Sequence, residues 1–155
     1  MRRTWRWACG LVCAAFFLMA AGCTVEKEAI TSDEFAAHMQ EQGFEIVDVT
    51  NQMDGQVESA VLALGEDAAY QLEFFEVSTE EQAESAYAQN KATFEMEKES
   101  ASTSFTGSGK NFHVYSQKSD GWFSYVCQVE RTFLYARVPA EHQDTVEEAA
   151  KALGY

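Results

Sequence analysis

The sequence predicts an α+β fold: an antiparallel sheet with helices packed mainly on one face, in the order α-βββ-α-βββ-α. Three observations carry this. Short runs rich in β-branched and aromatic residues stand between turn signals, and several alternate apolar with polar positions. Three segments show apolar residues recurring at helical spacing. The turns, Asp120-Gly121 above all, are too short for crossover connections, so neighbouring strands must pair antiparallel. Each strand then has an apolar face that needs a covering layer, which the helices supply.

The first helix opens at Thr31, where Thr31 and Glu34 have capping-box spacing and Ile30 and Phe35 that of a hydrophobic staple. Phe35 and Met39 lie one turn apart on a single face, and Gly43 suits a left-handed stop. Phe44-Glu45-Ile46-Val47-Asp48-Val49-Thr50 reads as a strand, followed by a turn over 51–55. Val61-Leu62-Ala63-Leu64 is a second strand. Ala69 to Val77 is a third, with Tyr70, Leu72 and Phe74 on one side and Gln71 and Glu73 on the other. Ser78 and Glu81 form a second capping box, opening a helix that runs to about Glu97. Ala83, Tyr87, Asn90 and Phe94 trace its inner face, and Lys91 and Glu95 can pair across one turn. Three strands follow, Phe112 to Gln117, Trp122 to Val129 and Thr132 to Val138; a further strand near Ser102 to Thr106 would add to the count. Pro139 fits the first turn of a last helix. There Val146, Ala149, Ala150 and Leu153 make the apolar stripe and Gly154 the cap. Two successive helix-plus-three-strand halves fit an internal duplication.

Charge and aromatic content narrow the function classes. The 155-residue chain has 25 acidic and 11 basic residues. Such a surface repels nucleic-acid phosphates and carries no basic stripe, so nucleic acid is excluded as a partner. An acidic chain with few aromatics would be disordered, but Phe, Tyr and Trp make up 13% of this one, enough to build a core.

Arg2, Arg3 and Arg6 precede an apolar run from about Trp7 to Met19, which ends in Ala20-Ala21-Gly22-Cys23. A basic start, a short apolar core and small residues before a cysteine read as an export signal. A retained membrane helix needs about 20 apolar residues, and this run is shorter and interrupted by Gly10. The Ala20-Ala21-Gly22-Cys23 stretch resembles the lipobox of bacterial lipoprotein signal peptides, with Ala20 where that family more often has Leu. The resemblance covers only the first 23 residues. It implies cleavage before Cys23, a diacylglyceryl group on its thiol, and a place on the extracytoplasmic face of the cell membrane. The domain plan is then 1–22 signal peptide, 23–29 lipidated tether and 30–155 a single α+β domain. Fully extended, the tether reaches ~25 Å. Losing residues 1–22 removes three arginines and no carboxylate, which leaves eight basic residues and a mature charge of −17. Anionic membranes should repel such a domain over about one Debye length, ~8 Å at physiological salt. An envelope protein or a cationic ligand would be a better partner.

Chemistry-bearing motifs are sparse. With Cys9 and Cys13 in the signal and Cys23 acylated, Cys127 is left alone, read as a buried apolar thiol. Thr106-Gly107-Ser108-Gly109-Lys110-Asn111 lacks the first glycine and the Ser/Thr of a phosphate loop. Asp48, Asn51, Asp54 and Gly55 miss calcium-loop spacing. His38, His113 and His142 have no partner at metal-ligand spacing, and no nucleophile elbow occurs. No catalytic residue, metal or cofactor is therefore assigned. Tyr115, Trp122, Phe123, Tyr125, Phe133 and Tyr135 form the densest aromatic set, and with His113 beside them the candidate binding residues are His113, Tyr115, Tyr125 and Tyr135. The expectation is a non-catalytic binding or accessory module. The alternative is a small cell-envelope hydrolase or transferase with a non-local site near His113.

Overall fold

The computed structural model describes residues 25–155. The expected signal peptide, residues 1–22, and Cys23 lie outside the described residues. The helix α1 (Ser32–Glu41) leads into β1 (Glu45–Asp48), β2 (Ser59–Leu64) and β3 (Gln71–Glu76). A long helix, α2 (Glu80–Met96), connects to β4 (Thr103–Ser108), β5 (Phe112–Ser119), β6 (Trp122–Val129) and β7 (Thr132–Pro139), and α3 (Gln143–Leu153) closes the chain. All seven strands form one antiparallel sheet in the order β1-β2-β3-β7-β6-β5-β4.

Local chemistry accounts for most boundaries. At α1 the Thr31 hydroxyl accepts the Glu34 N–H while the Glu34 carboxylate accepts the Thr31 N–H at 2.8 Å, a complete capping box. At α2 the box sits one residue later than Ser78 and Glu81. Thr79 Oγ1 accepts the Gln82 N–H, and Gln82 Oε1 accepts both the Thr79 and Ser78 N–H groups. Ser-x-x-Glu and Thr-x-x-Gln overlap here, and the second wins because its glutamine serves two orphan amides at once. Asp120 and Gly121 both take positive φ, 47° and 76°, as a two-residue hairpin turn requires. Gly154 ends α3 at φ 82°.

The order α-βββ-α-βββ-α gains the further strand that the sequence allowed near Ser102 to Thr106: Thr-Ser-Phe-Thr-Gly-Ser pairs along β5 as the edge strand β4, so the second half has four strands. One expectation is corrected: helices cover both faces of the sheet rather than mainly one. Phe35 and Met39 of α1 and Val146, Ala149, Ala150 and Leu153 of α3 pack on Leu72, Phe74, Tyr125, Cys127 and Leu134. Ala83, Tyr87 and Phe94 of α2 pack on the opposite side, against Phe75, Phe133, Tyr115 and Val126. The alternation is visible within Leu72-Glu73-Phe74-Phe75: Phe74 stacks on Phe35 at 4.9 Å, while Phe75 stacks on Phe133 at 4.6 Å beyond the sheet. The expected duplication fails on the same point. A two-fold axis normal to the sheet between β3 and β7 would leave α1 and α2 on one face, and they occupy opposite ones.

Candidate functional site

The four sequence candidates divide between the two faces. His113, Tyr115 and Tyr135 belong to the α2 side. The His113 ring lies against Tyr87 at 5.4 Å, Tyr115 donates its hydroxyl to Gln117 Oε1 at 2.8 Å, and Tyr135 stacks on Phe94 at 5.7 Å. Gln117 Nε2 in turn donates to the Phe94 carbonyl at 2.7 Å, so this network fastens the end of α2 to β5. Tyr125 lies under α3 on the other face, where burial raises its hydroxyl far above the ordinary tyrosine range. These four side chains therefore make no common patch, and most of their area serves packing.

Cys127 is fully buried beside Tyr125, and burial pushes its thiol up to about 12, so it stays protonated and unreactive. The glycine-lysine stretch around Gly109 forms the β4–β5 turn, followed by a strand where a phosphate loop would need a helix. Asp48 accepts the Thr50 N–H at 2.8 Å, which holds its carboxyl below the usual range and makes the calcium-like loop a local turn. Among the described residues, no three His, Cys, Asp or Glu side chains converge as a metal site. No helix among them is long and apolar enough to cross a membrane.

An apolar concavity lies elsewhere, where the N-terminal arm meets the β4–β5 edge and α3. It holds about 500 Å³ and is lined by Val25, Phe105, Phe112, Val114, Tyr125 and Ala150, with Lys27, Glu147 and Lys151 around them. That volume and its apolar lining are typical of ligand clefts. Val25 and Phe105 are 62% and 61% exposed, against 41% for Trp122, the nearest comparable aromatic in exposure.

This arm is the main departure from the expected tether. From Val25 onward it is fastened to the domain. The Lys27 N–H donates to Asn111 Oδ1 at 3.0 Å, and Asn111 Nδ2 donates back to the Lys27 carbonyl at 2.8 Å. The Lys110 N–H donates to the Val25 carbonyl at 3.0 Å, and Lys27 Nζ reaches the Gly154 carbonyl at 2.6 Å. Lys110 also pairs with Glu26, whose carboxylate raises the lysine's affinity for its proton. Gly109 permits the close approach: a Cβ there would stand 2.3 Å from the Val25 carbonyl oxygen and 2.2 Å from the Phe112 ring. Further along, Tyr155 accepts the Ile30 N–H at 3.4 Å and bonds Thr132, and burial raises its hydroxyl to about 12.

Sequence reading missed Val25 and Phe105 because each stands alone in a polar stretch. The available signal was that isolation itself: one large apolar residue in Thr-Ser-Phe-Thr-Gly-Ser, and one two positions after Cys23. No protein-family model, curated protein or solved structure matches this chain.

Proposed function

We propose that this protein is an extracytoplasmic lipoprotein, held on the cell membrane by acyl chains at Cys23, whose folded part is a non-catalytic binding or accessory module. The observation that carries the reading is Ala20-Ala21-Gly22-Cys23 at the end of an Arg-led apolar run. Two acyl chains hold a protein stably where one holds it marginally, so a diacylglyceryl group suffices as the sole anchor. The placement of His113 against Tyr87, with Tyr125 beyond the sheet, supports a binding role over hydrolysis or group transfer. Those reactions need a base within hydrogen-bond reach of a nucleophile or substrate. A mature charge of −17 favours a cationic ligand or a basic face of an envelope protein as partner.

Cys23→Ser tests the anchor. In cells expressing it, the variant moves from the membrane fraction to the soluble one and no longer incorporates labelled palmitate. Retention in salt-washed membranes would contradict the reading.

A further inference from the structure

We infer that the face bearing Val25 and Phe105 is seated on the lipid bilayer that holds the anchor, so that the domain has one fixed orientation on the membrane. This rests on the reading of Cys23 as acylated. One residue, Thr24, separates Cys23 from Val25, a span of at most about 7 Å over the two steps. Val25 is no part of a loose linker, because its carbonyl accepts the Lys110 N–H and Lys27 is clasped by Asn111 on both backbone groups. With the acyl chains of Cys23 in hydrocarbon, Val25 stands at the headgroup level and brings its face of the domain with it.

What surrounds Val25 fits that position. Of four exposed large hydrophobic residues among those described, Val25 and Phe105 flank the same groove. Lys27 and Lys151 line it and Lys110 bonds the arm. Three of the eight basic residues of a strongly acidic mature chain thus gather at the membrane side. Glu26 is paired with Lys110, Glu147 lies at the groove, and Glu28, Glu80 and Glu130 stand with Lys27 and Lys110 in the neighbouring cleft. Apolar side chains ringed by lysines are the composition of surfaces that lie in a bilayer interface.

The mature chain carries a single tryptophan, Trp122, and it supplies the internal control. It stands at the β5–β6 turn on the α2 side, the face of the sheet opposite Phe105; Trp122 pairs with Ser119 and Phe105 with Ser116, so the two are three residues along and two strands across, about 14 Å in the plane of the sheet. The experiment uses acylated mature protein in phosphatidylcholine vesicles containing lipids brominated near the glycerol end of the acyl chains. One sample is wild type and one is Phe105→Trp with Trp122→Phe; Val25→Trp in the same background is the second variant. Mass spectrometry of each sample reports acylation at Cys23. The expected result is that emission from the reporter at position 105 falls by roughly half, since a seated face lies about 5–10 Å into the headgroup boundary, while Trp122 is unquenched. Equal quenching at both sites, or none at 105 and 25 in a sample acylated at Cys23, overturns the seated face and leaves the anchor standing. A blue-shifted but unquenched reporter also overturns it, because the groove would then be filled by the protein's own acyl chain or by another protein. An unmodified thiol at Cys23 removes both readings.

Discussion

Asn111→Ala releases the N-terminal arm. The Asn111 side chain holds Lys27 by two half-buried hydrogen bonds, 3.0 Å and 2.8 Å, and donates a third to Glu130 Oε1 at 3.1 Å. Each ordinary bond contributes a net ~0.5–1.5 kcal/mol, so the two that reach the arm are together worth about 2 kcal/mol. At 1.4 kcal/mol per tenfold, the arm's opening equilibrium rises by roughly 30-fold. Native-state amide exchange of the domain reads this at Lys110, whose N–H is protected by the Val25 carbonyl and is not itself altered by the substitution. Exchange at Lys110 should accelerate by about that factor while amides in β6 and β7 hold their rates, since opening the arm leaves the core ladders closed. Asn111→Asp keeps the acceptor for Lys27 but removes the donor and faces Glu130, so it falls between wild type and alanine. Unchanged exchange at Lys110 in the folded alanine variant would refute the fastened arm.

Three further outcomes follow. Gly109→Ala places a methyl group into the Val25 carbonyl and the Phe112 ring; overpacking of this kind costs ~1–3 kcal/mol, and loss of Lys110 protection checks it. Glu73, half-buried, has its carboxyl raised by desolvation more than the Gln71 amide lowers it. Its folded form therefore binds a proton more readily than the unfolded chain, and the stability present below the unfolded value is lost as pH rises through the folded one. Glu73→Gln is accordingly more stable than wild type at neutral pH in urea titrations, with the advantage shrinking on acidification; an advantage independent of pH would contradict the assignment. Cys127 resists iodoacetamide at pH 8 until the domain unfolds, because its thiol titrates at about 12; stoichiometric labelling of the native protein within minutes would place it near the surface.

The parts of this fold set by neighbours in sequence were readable from the sequence. Thr31 with Glu34, Asp120 with Gly121, and the stripe from Val146 to Leu153 each specify their element through contacts a few residues apart. What depended on distant partners was not. The side of the sheet that α2 covers is set by Phe75 just before it together with Tyr115, Val126 and Phe133, which lie at least 19 residues past its end. The further strand near Ser102 to Thr106 was legible only as an addition to the count, because Thr103–Ser108 is held chiefly by backbone pairing to β5 and its side chains carry no apolar alternation. The arm docks through Asn111, 84 positions from Lys27, and its short polar sequence has the composition of a linker. For the site, the aromatic residues were conspicuous because aromatics dominate cores, and the structure uses them that way. One of them, Tyr125, also lines the groove beside the N-terminal arm, whose exposed rim announced itself by only two isolated apolar residues, Val25 and Phe105.

Intact-mass analysis of the mature protein taken from its own membrane decides whether position 23 carries a thioether. The expected species begins at Cys23 and is heavier than the bare polypeptide by a diacylglyceryl group. A chain that still begins at Met1, or one that begins at Cys23 with a free sulfhydryl, would contradict it.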